Sequence, residues 1–346
     1  MNAITLPKTA ILELTYECNH QCKFCSCPWE NTANPHLFFE KKEELSIDEW
    51  KKVLSILERQ DIETVGISGG EALLKEGLSD LLWHIRENAI LNKDKKITLV
   101  SNGAAMDEAF LSLFADTGVH LSLSLPGLDT FQYHTGTTAN SAGNVLHWIK
   151  RASEEGITTT VNVTATKQNI HELYEIIANA LLAGADTLLL NRFLIGGRGV
   201  SYKDELSLSQ KELQEVFDTA DAILETSGRV GSLGTETPFC ALGGREYKHL
   251  ATGSMCAAAK RNGFFVIDPS GYVRACNHSP KRLGYIFDKE IIRDINYWKL
   301  FADRAIKLPE MCVGCEFVNR CDAGCREAAY ICYGSLSAPD PCMITE

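Results

Sequence analysis

No apolar run in the 346-residue chain reaches the roughly 18 residues that would span a bilayer, which speaks against a membrane protein. The opening stretch, Met1 to Lys8, lacks the apolar core of a secretory signal, so the cytosol is the expected compartment. Positive charge is also scarce. With 34 Lys and Arg against 45 Asp and Glu the net charge is −11, which argues against nucleic acid or an anionic membrane surface as partner. There is no internal repeat and no low-complexity tract. Cysteine is missing from 28 to 239, although the chain holds 13: four between 18 and 27 and nine from 240 to 342. An odd number fits full disulfide pairing poorly, and cysteines of a cytosolic chain read more readily as metal ligands. The gap therefore separates two metal-binding regions.

What is present is a long α/β pattern. Short apolar strands rich in Ile, Leu, Val and Thr are expected near 9–15, 63–68, 96–101, 119–125, 157–164 and 186–193. Helical patterns follow near 46–60, 76–91, 107–117, 141–155, 170–183 and 208–226. Ser46 with Glu49 three residues on forms a capping box, and Ile47, Trp50, Val53, Leu54 and Leu57 make one apolar face. Six such units predict a parallel sheet with helices outside, a partial (β/α)6 barrel of TIM type whose site lies at the carboxyl ends of its strands. After 235 the chain turns cysteine- and loop-rich, with order set more by metal than by core volume.

Cys18, Cys22 and Cys25 stand in the spacing C-x3-C-x2-C at the end of the first strand. Three thiolates leave one iron of a four-iron cube without a protein ligand, free to bind and activate a small molecule. Phe24 offers an apolar surface for a cofactor ring. Cys27 reads as a packing or neighbouring thiol rather than a ligand. Three buried cysteines, or a zinc site borrowing a distant ligand, are the plainer alternatives. The second strand ends in Gly69, Gly70 and Glu71, where glycines admit a close backbone approach and a carboxylate suits an ammonium. Ser101 and Asn102 end strand three, Ser122 and Ser124 lie on strand four, and Arg192 and Leu194 close strand six. Each of these alone is as consistent with a capped strand end.

Together the triplet, the Gly-Gly-Glu and the βα units resemble the radical S-adenosylmethionine (SAM) enzymes. The resemblance implies that the triplet holds a SAM-binding 4Fe–4S cluster and that Gly69, Gly70 and Glu71 hold the methionine amino group. It further implies that a strand-four serine meets ribose or carboxylate and that the backbone after strand six meets adenine. Many relatives carry an arginine after strand four for the SAM carboxylate. The run Phe131 to Gly136 has none, leaving His134 or Arg192 as substitutes.

The C-terminal cysteines run Cys256-x14-Gly271-x4-Cys276, then Cys312-x2-Cys315-x5-Cys321-x3-Cys325 and Cys342. A pair of zinc sites is the plain reading of such spacing. The pattern is similar to the SPASM domain, which carries auxiliary clusters in radical SAM peptide-modifying enzymes. That likeness implies a barrel over 1–235 and a SPASM domain over 236–346. Auxiliary cluster I would take Cys256, Cys276 and Cys325, and cluster II Cys312, Cys315, Cys321 and Cys342, giving three 4Fe–4S clusters in all. Cluster I lacks a fourth cysteine and would either keep an open iron or recruit Cys240, the latter slightly favoured. Cys332 reads as an ordinary buried thiol.

The implied activity is reductive cleavage of SAM to a 5′-deoxyadenosyl radical that takes a hydrogen atom from substrate. The implied substrate is a ribosomally made precursor peptide, altered by crosslinking, epimerisation or backbone excision. The run Cys18 to Glu30 looks like members associated with Nif11-type precursors, some of them spliceases. Alternatives are an anaerobic sulfatase maturase, against which Asn277 stands where those enzymes carry Asp, and a tetrapyrrole or other small-molecule dehydrogenase. Outside enzymes, the alternative is an iron–sulfur or zinc-binding protein. An electron donor such as flavodoxin or ferredoxin is implied. Only seventeen residues precede Cys18, so peptide docking is expected to come from a separate leader-binding protein, the favoured reading, or from the SPASM surface.

Overall fold

The computed structural model describes residues 4–30, 38–87, 96–252 and 255–343. Strands and helices alternate as the apolar periodicity requires: β1 (Thr9–Glu13), α1 (Ile47–Glu58), β2 (Thr64–Ser68), α2 (Leu78–Glu87), β3 (Lys96–Ser101), α3 (Glu108–Thr117) and β4 (Val119–Ser124). The short α4 (Phe131–Thr135) precedes α5 (Ala142–Glu154), β5 (Thr159–Ala165), α6 (Leu173–Ala183), β6 (Thr187–Arg192), the one-turn α7 (Lys203–Leu206) and α8 (Gln210–Ser227). The expected continuation of α2 over 88–91 lies outside the described residues.

Local chemistry sets these boundaries. Ser46 and Glu49 close the capping box of α1, and Trp50, Val53, Leu54 and Leu57 are buried beneath it. Ser209 and Glu212 repeat the device on α8, which ends at Gly228 with φ 65°, a left-handed cap suited to glycine.

β1 through β6 pair in chain order, all parallel. Their side chains alternate between two faces. Ala10, Leu12, Val65, Ile67, Leu99, Leu121, Leu123, Val161, Val163 and Leu190 are fully buried, forming the core beneath the helices. The lumen face mixes small or polar residues, Thr9, Thr64, Gly66, Thr98, Ser122, Ser124, Asn162 and Asn191, with the apolar Ile11, Val100 and Leu189. Asn191 donates to Asn162 at 2.7 Å across this face. The many short side chains on this face leave a cavity of about 470 Å³, unlike the packed interior of a closed barrel.

The sheet extends past the six expected strands at both edges. β7 (Val230–Leu233) and β8 (Leu250–Ala251) continue it in parallel beyond β6. On the other side β9 (Phe264–Ile267) pairs parallel with β1, and β10 (Tyr272–Arg274) and β11 (Gly284–Tyr285) follow antiparallel. The order is β11-β10-β9-β1-β2-β3-β4-β5-β6-β7-β8. The cysteine-rich segment thus covers the open edge of β1 instead of hanging from the barrel. Gly271 sits at φ 85° in the β9–β10 turn, where its N–H meets Asp268 O at 2.8 Å. Two helices, α9 (Ile295–Ala302) and α10 (Arg326–Tyr333), complete the C-terminal part. Among the described residues no helix is long and apolar enough to cross a membrane.

Candidate active site and cysteine constellations

The loop bearing Cys18, Cys22 and Cys25 leaves the carboxyl end of β1 and is gripped from three sides. The end of β2 stitches it down: Gly70 N–H meets Thr15 O at 2.8 Å and Glu71 N–H meets Glu17 O at 2.7 Å. A Cβ on Gly69 would lie 2.7 Å from Thr15 O, and one on Gly70 would collide with the Glu17 carbonyl. The two glycines are therefore required by the cysteine loop's own backbone, before any ligand is considered. The end of α4 receives Gln21 N–H and Lys23 N–H on the carbonyls of Thr135 and His134, at 2.8 and 2.9 Å. The turn after β6 closes the grip. Gly199 N–H donates to Cys25 O at 3.1 Å, Arg198 donates to Cys22 O at 3.1 Å, and Arg198 also pairs with Glu30.

Burial pushes the Cys18 thiol up to about 11 and that of Cys22 well above its ordinary range. Cys25 differs. A hydrogen bond with Cys27 holds it low, against the opposing effect of burial. Cys27 packs on the Tyr16, Trp29 and Phe39 cluster. His20 N–H reaches Cys18 Sγ at 3.4 Å, and the imidazole of His20 lies 3.9 Å from Cys22 Sγ. Among the described residues no three His, Cys, Asp or Glu converge on a single ion. A four-iron cube takes its thiolates at separate corners, and three thiols on one short loop fit that donor set.

Glu71 is 1% exposed, and burial raises its carboxyl. Its Oε1 accepts Leu73 N–H at 3.1 Å and its Oε2 accepts Asn102 N–H at 2.7 Å, so the carboxylate ties β2's end to β3's. Ser101 faces the helices and accepts from Gly103 N–H at 3.0 Å. Asn102 turns toward the loop, donating to Asn19 Oδ1 at 2.7 Å with Cys18 Sγ 3.9 Å away. Ser122 and Ser124 both face the lumen. Ser122 Oγ is buried and has no hydrogen-bond partner among the described residues, a polar atom that a bound ligand would satisfy. Leu194 lines the lumen cavity beside Ser26. Phe24 rests against the Phe193, Ile195 and Leu206 cluster, with its ring 6.0 Å from that of His134, so part of its surface is already covered.

Two expectations fail here. Arg192 shares the buried face of β6 with Leu188 and Leu190, and Asn191 holds the lumen position. Its guanidinium pairs with Asp340 at 2.5 Å and donates to Glu236 O at 2.9 Å. His134 is fully buried with both ring nitrogens engaged, by Thr130 O at 2.9 Å and Thr166 Oγ1 at 2.8 Å. Neither is disposed to meet a SAM carboxylate. The cation that the fold does bring to the cysteine loop is Arg198. It sits in the run Gly196-Gly197-Arg198-Gly199, where the glycines read simply as a turn. Asn140 is a second residue the sequence did not flag. It donates to Asn102 O at 2.9 Å and meets His20 Nε2 at 3.3 Å, linking strand three's end to the loop.

The distant cysteines form two separate groups. Cys256, Cys276 and Cys325 line one wall of a cavity of about 470 Å³ that continues the barrel lumen. Burial pushes Cys325 up to about 12 and raises Cys256 and Cys276 well above their ordinary range. Cys312, Cys315 and Cys321 line a different, smaller hollow, and Cys240 lines it with them. Cys240 is thus placed with the second group, contrary to the expectation that it joins Cys256. Cys342 is near enough to Cys240 for their charges to interact. Cys332 packs against the Phe193 cluster.

Buried carboxylates fix the cysteine-bearing backbones. Asp340 accepts Cys325 N–H at 2.6 Å and Cys342 N–H at 2.9 Å, besides pairing with Arg192. Asp322 accepts Cys256 N–H at 2.8 Å and pairs with Arg304 at 2.6 Å. Glu13, at the end of β1, pairs with fully buried Arg274 and accepts from Asn277 at 3.1 Å. Arg274 in turn donates to the carbonyls of Cys276, Asn277 and Ser279 at 3.3, 3.0 and 2.8 Å.

Residues 12–180 match the sequence model of the Radical SAM superfamily. A PqqA peptide cyclase of Rhodopseudomonas palustris is 27% identical over 346 residues, covering 97% of this chain and 86% of the relative. A PqqA peptide cyclase of Xanthomonas campestris is 26% identical over 349 residues, covering 99% and 88%. Among solved structures, Streptococcus suis SuiB bound to precursor peptide SuiA matches with a TM-score of 0.75 at 17% identity, over 99% of this chain and 77% of that one. The structure of anSMEcpe with bound AdoMet and the Cp18Cys peptide matches with a TM-score of 0.73 at 17% identity, over 96% and 92%. Over residues 12–180 the chain carries a radical SAM domain, and the protein is a radical SAM enzyme, working with SAM and a 4Fe–4S cluster.

Proposed function

We propose that this enzyme modifies a ribosomally made precursor peptide. The observation that carries the reading is the cavity of about 470 Å³, which runs from Ser26 and Leu194 at the cysteine loop, through the lumen, to Cys256, Cys276 and Cys325. A peptide side chain reaching into it would meet the SAM end and the distant cysteines at once. The full-length similarity to PqqA peptide cyclases supports a peptide substrate.

When bound, SAM and its cluster supply a 5′-deoxyadenosyl radical that removes a hydrogen atom from the substrate. The chain's own residues hold and shield. Cys18, Cys22 and Cys25 would ligate the cluster, Phe24 would cover it, and Gly69, Gly70 and Glu71 would frame the methionine end. Asn102, Ser122, Ser124 and Leu194 would line the rest of the SAM site. In the C-terminal part, Cys312, Cys315, Cys321 and Cys342 would hold a second cluster with Cys240 close by. Cys256, Cys276 and Cys325 would hold a third. The working division is a barrel over 1–235 and an auxiliary-cluster domain over 236–346, in a cytoplasmic enzyme reduced by a small flavodoxin- or ferredoxin-like donor. Asn277 donates its amide to Glu13 and is no acid, which does not favour the sulfatase-maturase alternative.

The test is to incubate reduced enzyme, SAM and candidate precursor peptides, with and without a small leader-binding protein, and follow 5′-deoxyadenosine and peptide mass. Heavy water as solvent reveals an epimerisation that leaves mass otherwise unchanged. Formation of 5′-deoxyadenosine matched by a changed peptide is expected. Turnover of a tetrapyrrole or metabolite with every peptide inert would overturn the reading.

Glu71 gives a sharper prediction. Charge-assisted hydrogen bonds are worth about 1.5–3 kcal/mol, so Glu71→Ala should weaken SAM binding by roughly ten- to a hundredfold. Glu71→Gln keeps one acceptor oxygen and should lose less. Equilibrium dialysis against labelled SAM decides, and equal affinity in all three proteins removes Glu71 from the site.

A further inference from the structure

Among the described residues, the group formed by Cys256, Cys276 and Cys325 has three thiols and no fourth. Cys240 lies with Cys312, Cys315 and Cys321 instead. Two acids, Glu236 and Glu327, stand on the same wall. Glu327 lines the cavity with the three cysteines, two positions beyond Cys325 in the first turn of α10. It is 1% exposed. The Tyr297 hydroxyl donates to its Oε1 at 2.7 Å, which fixes the plane of the carboxylate. Its Oε2 is buried with no hydrogen-bond partner among the described residues. A buried carboxylate oxygen without a partner is costly, and coordination to a cation is one of the few ways to offset it. Carboxylate oxygen is an established donor to iron.

Glu236, the other acid on this wall, is differently placed. Backbone N–H groups, including that of Ala257, already bond its carboxylate. Glu327 combines full burial, an orientation held by Tyr297 with Ser279 also beside its carboxylate, and an Oε2 without a hydrogen-bond partner among the described residues. Its side chain lines the same cavity as Cys256, Cys276 and Cys325.

We propose that the Glu327 carboxylate is the fourth ligand of the cluster held by Cys256, Cys276 and Cys325, closing the iron that three cysteines leave open. This rests on the assignment of an auxiliary cluster to those cysteines. The bond is a simple ligation, Oε2 to iron, with no change of oxidation state. It makes this cluster closed to substrate at rest, with an oxygen ligand that exchanges more readily than a thiolate.

The test uses the full-length, anaerobically reconstituted protein carrying Cys18→Ala, Cys22→Ala and Cys25→Ala, so that the SAM cluster's open iron is absent. With Glu327 intact, about eight irons are expected and cyanide should leave the reduced-state EPR spectrum unchanged. Adding Glu327→Ala should expose one iron, so that cyanide shifts one of the two cluster signals. Glu327→Cys should retain all the iron, resist cyanide and lose the Mössbauer component of an oxygen-ligated site. Should Glu327→Ala shed about four irons while Glu327→Cys keeps them, the ligand role is equally supported. A cyanide-shifted signal with Glu327 intact overturns the proposal while leaving the cluster in place. About four irons in the triple variant itself removes the cluster assignment, and the proposal with it.

Discussion

Replacing Cys18, Cys22 and Cys25 together with alanine is expected to abolish 5′-deoxyadenosine formation while leaving the C-terminal cysteines and about eight irons in place. The argument is spatial. The three thiols share one loop, held by backbone hydrogen bonds that alanine preserves: Gly70 to Thr15, Glu71 to Glu17, Lys23 to His134 and Gly199 to Cys25. The fold at the strand ends should therefore survive. Cys256, Cys276 and Cys325 stand at the far wall of the cavity, their backbones held by Asp322, Arg274 and Asp340 respectively and not by the three loop thiols. Dithionite-reduced triple variant with SAM, read by chromatography for 5′-deoxyadenosine, is the measurement. Residual product would mean that SAM cleavage does not occur on this loop.

Asp340→Ala should have the largest effect on stability of any single change outside the core. The carboxylate is fully buried and holds Arg192 of β6 together with the N–H groups of Cys325 and Cys342. Removing one partner of a buried ion pair costs about 3–5 kcal/mol, because the remaining charge is left uncompensated. Against a total stability of roughly 5–15 kcal/mol that is a large share. The variant should melt well below the parent and lose iron, since two cysteines lose their backbone anchors. Asp340→Asn keeps an acceptor oxygen and should fall between the two. Anaerobic thermal melts with iron analysis test this, and an unchanged melting temperature would show that Arg192 finds another partner.

Much of the barrel was legible because its rules are local. Alternating apolar and small polar residues specify β1 to β6, and a serine followed three residues later by glutamate specifies where α1 begins. The later strands were not legible. β8 and β11 are two residues long and β10 three, so their pairing is set by the edges they cover and not by their own periodicity. The cysteine triplet and Gly-Gly-Glu stood out because metal ligation and close backbone approach restrict residue type at fixed spacing. The structure adds that those glycines serve the loop's own packing.

Residues whose meaning depends on a distant partner were read wrongly or missed. Arg192 sits at a strand end, where a ligand contact is expected, yet its partner Asp340 lies 148 positions away. Cys240 precedes Cys256 in sequence but folds beside Cys312 and Cys321. Asn140, Arg198 and Glu327 belong to a turn, a glycine run and a helix start. Each is ordinary in sequence, and only the fold shows that Asn140 and Arg198 meet the cysteine loop and that Glu327 shares a cavity wall with three cysteines.

The central claim is that this radical SAM enzyme takes a hydrogen atom from a peptide held in the lumen. The most direct measurement is to supply a fully deuterated precursor peptide to the reduced enzyme with unlabelled SAM and determine the mass of the 5′-deoxyadenosine formed. One deuterium per 5′-deoxyadenosine, appearing in step with peptide conversion, is the predicted result. Unlabelled 5′-deoxyadenosine from a peptide that is nonetheless converted would contradict it.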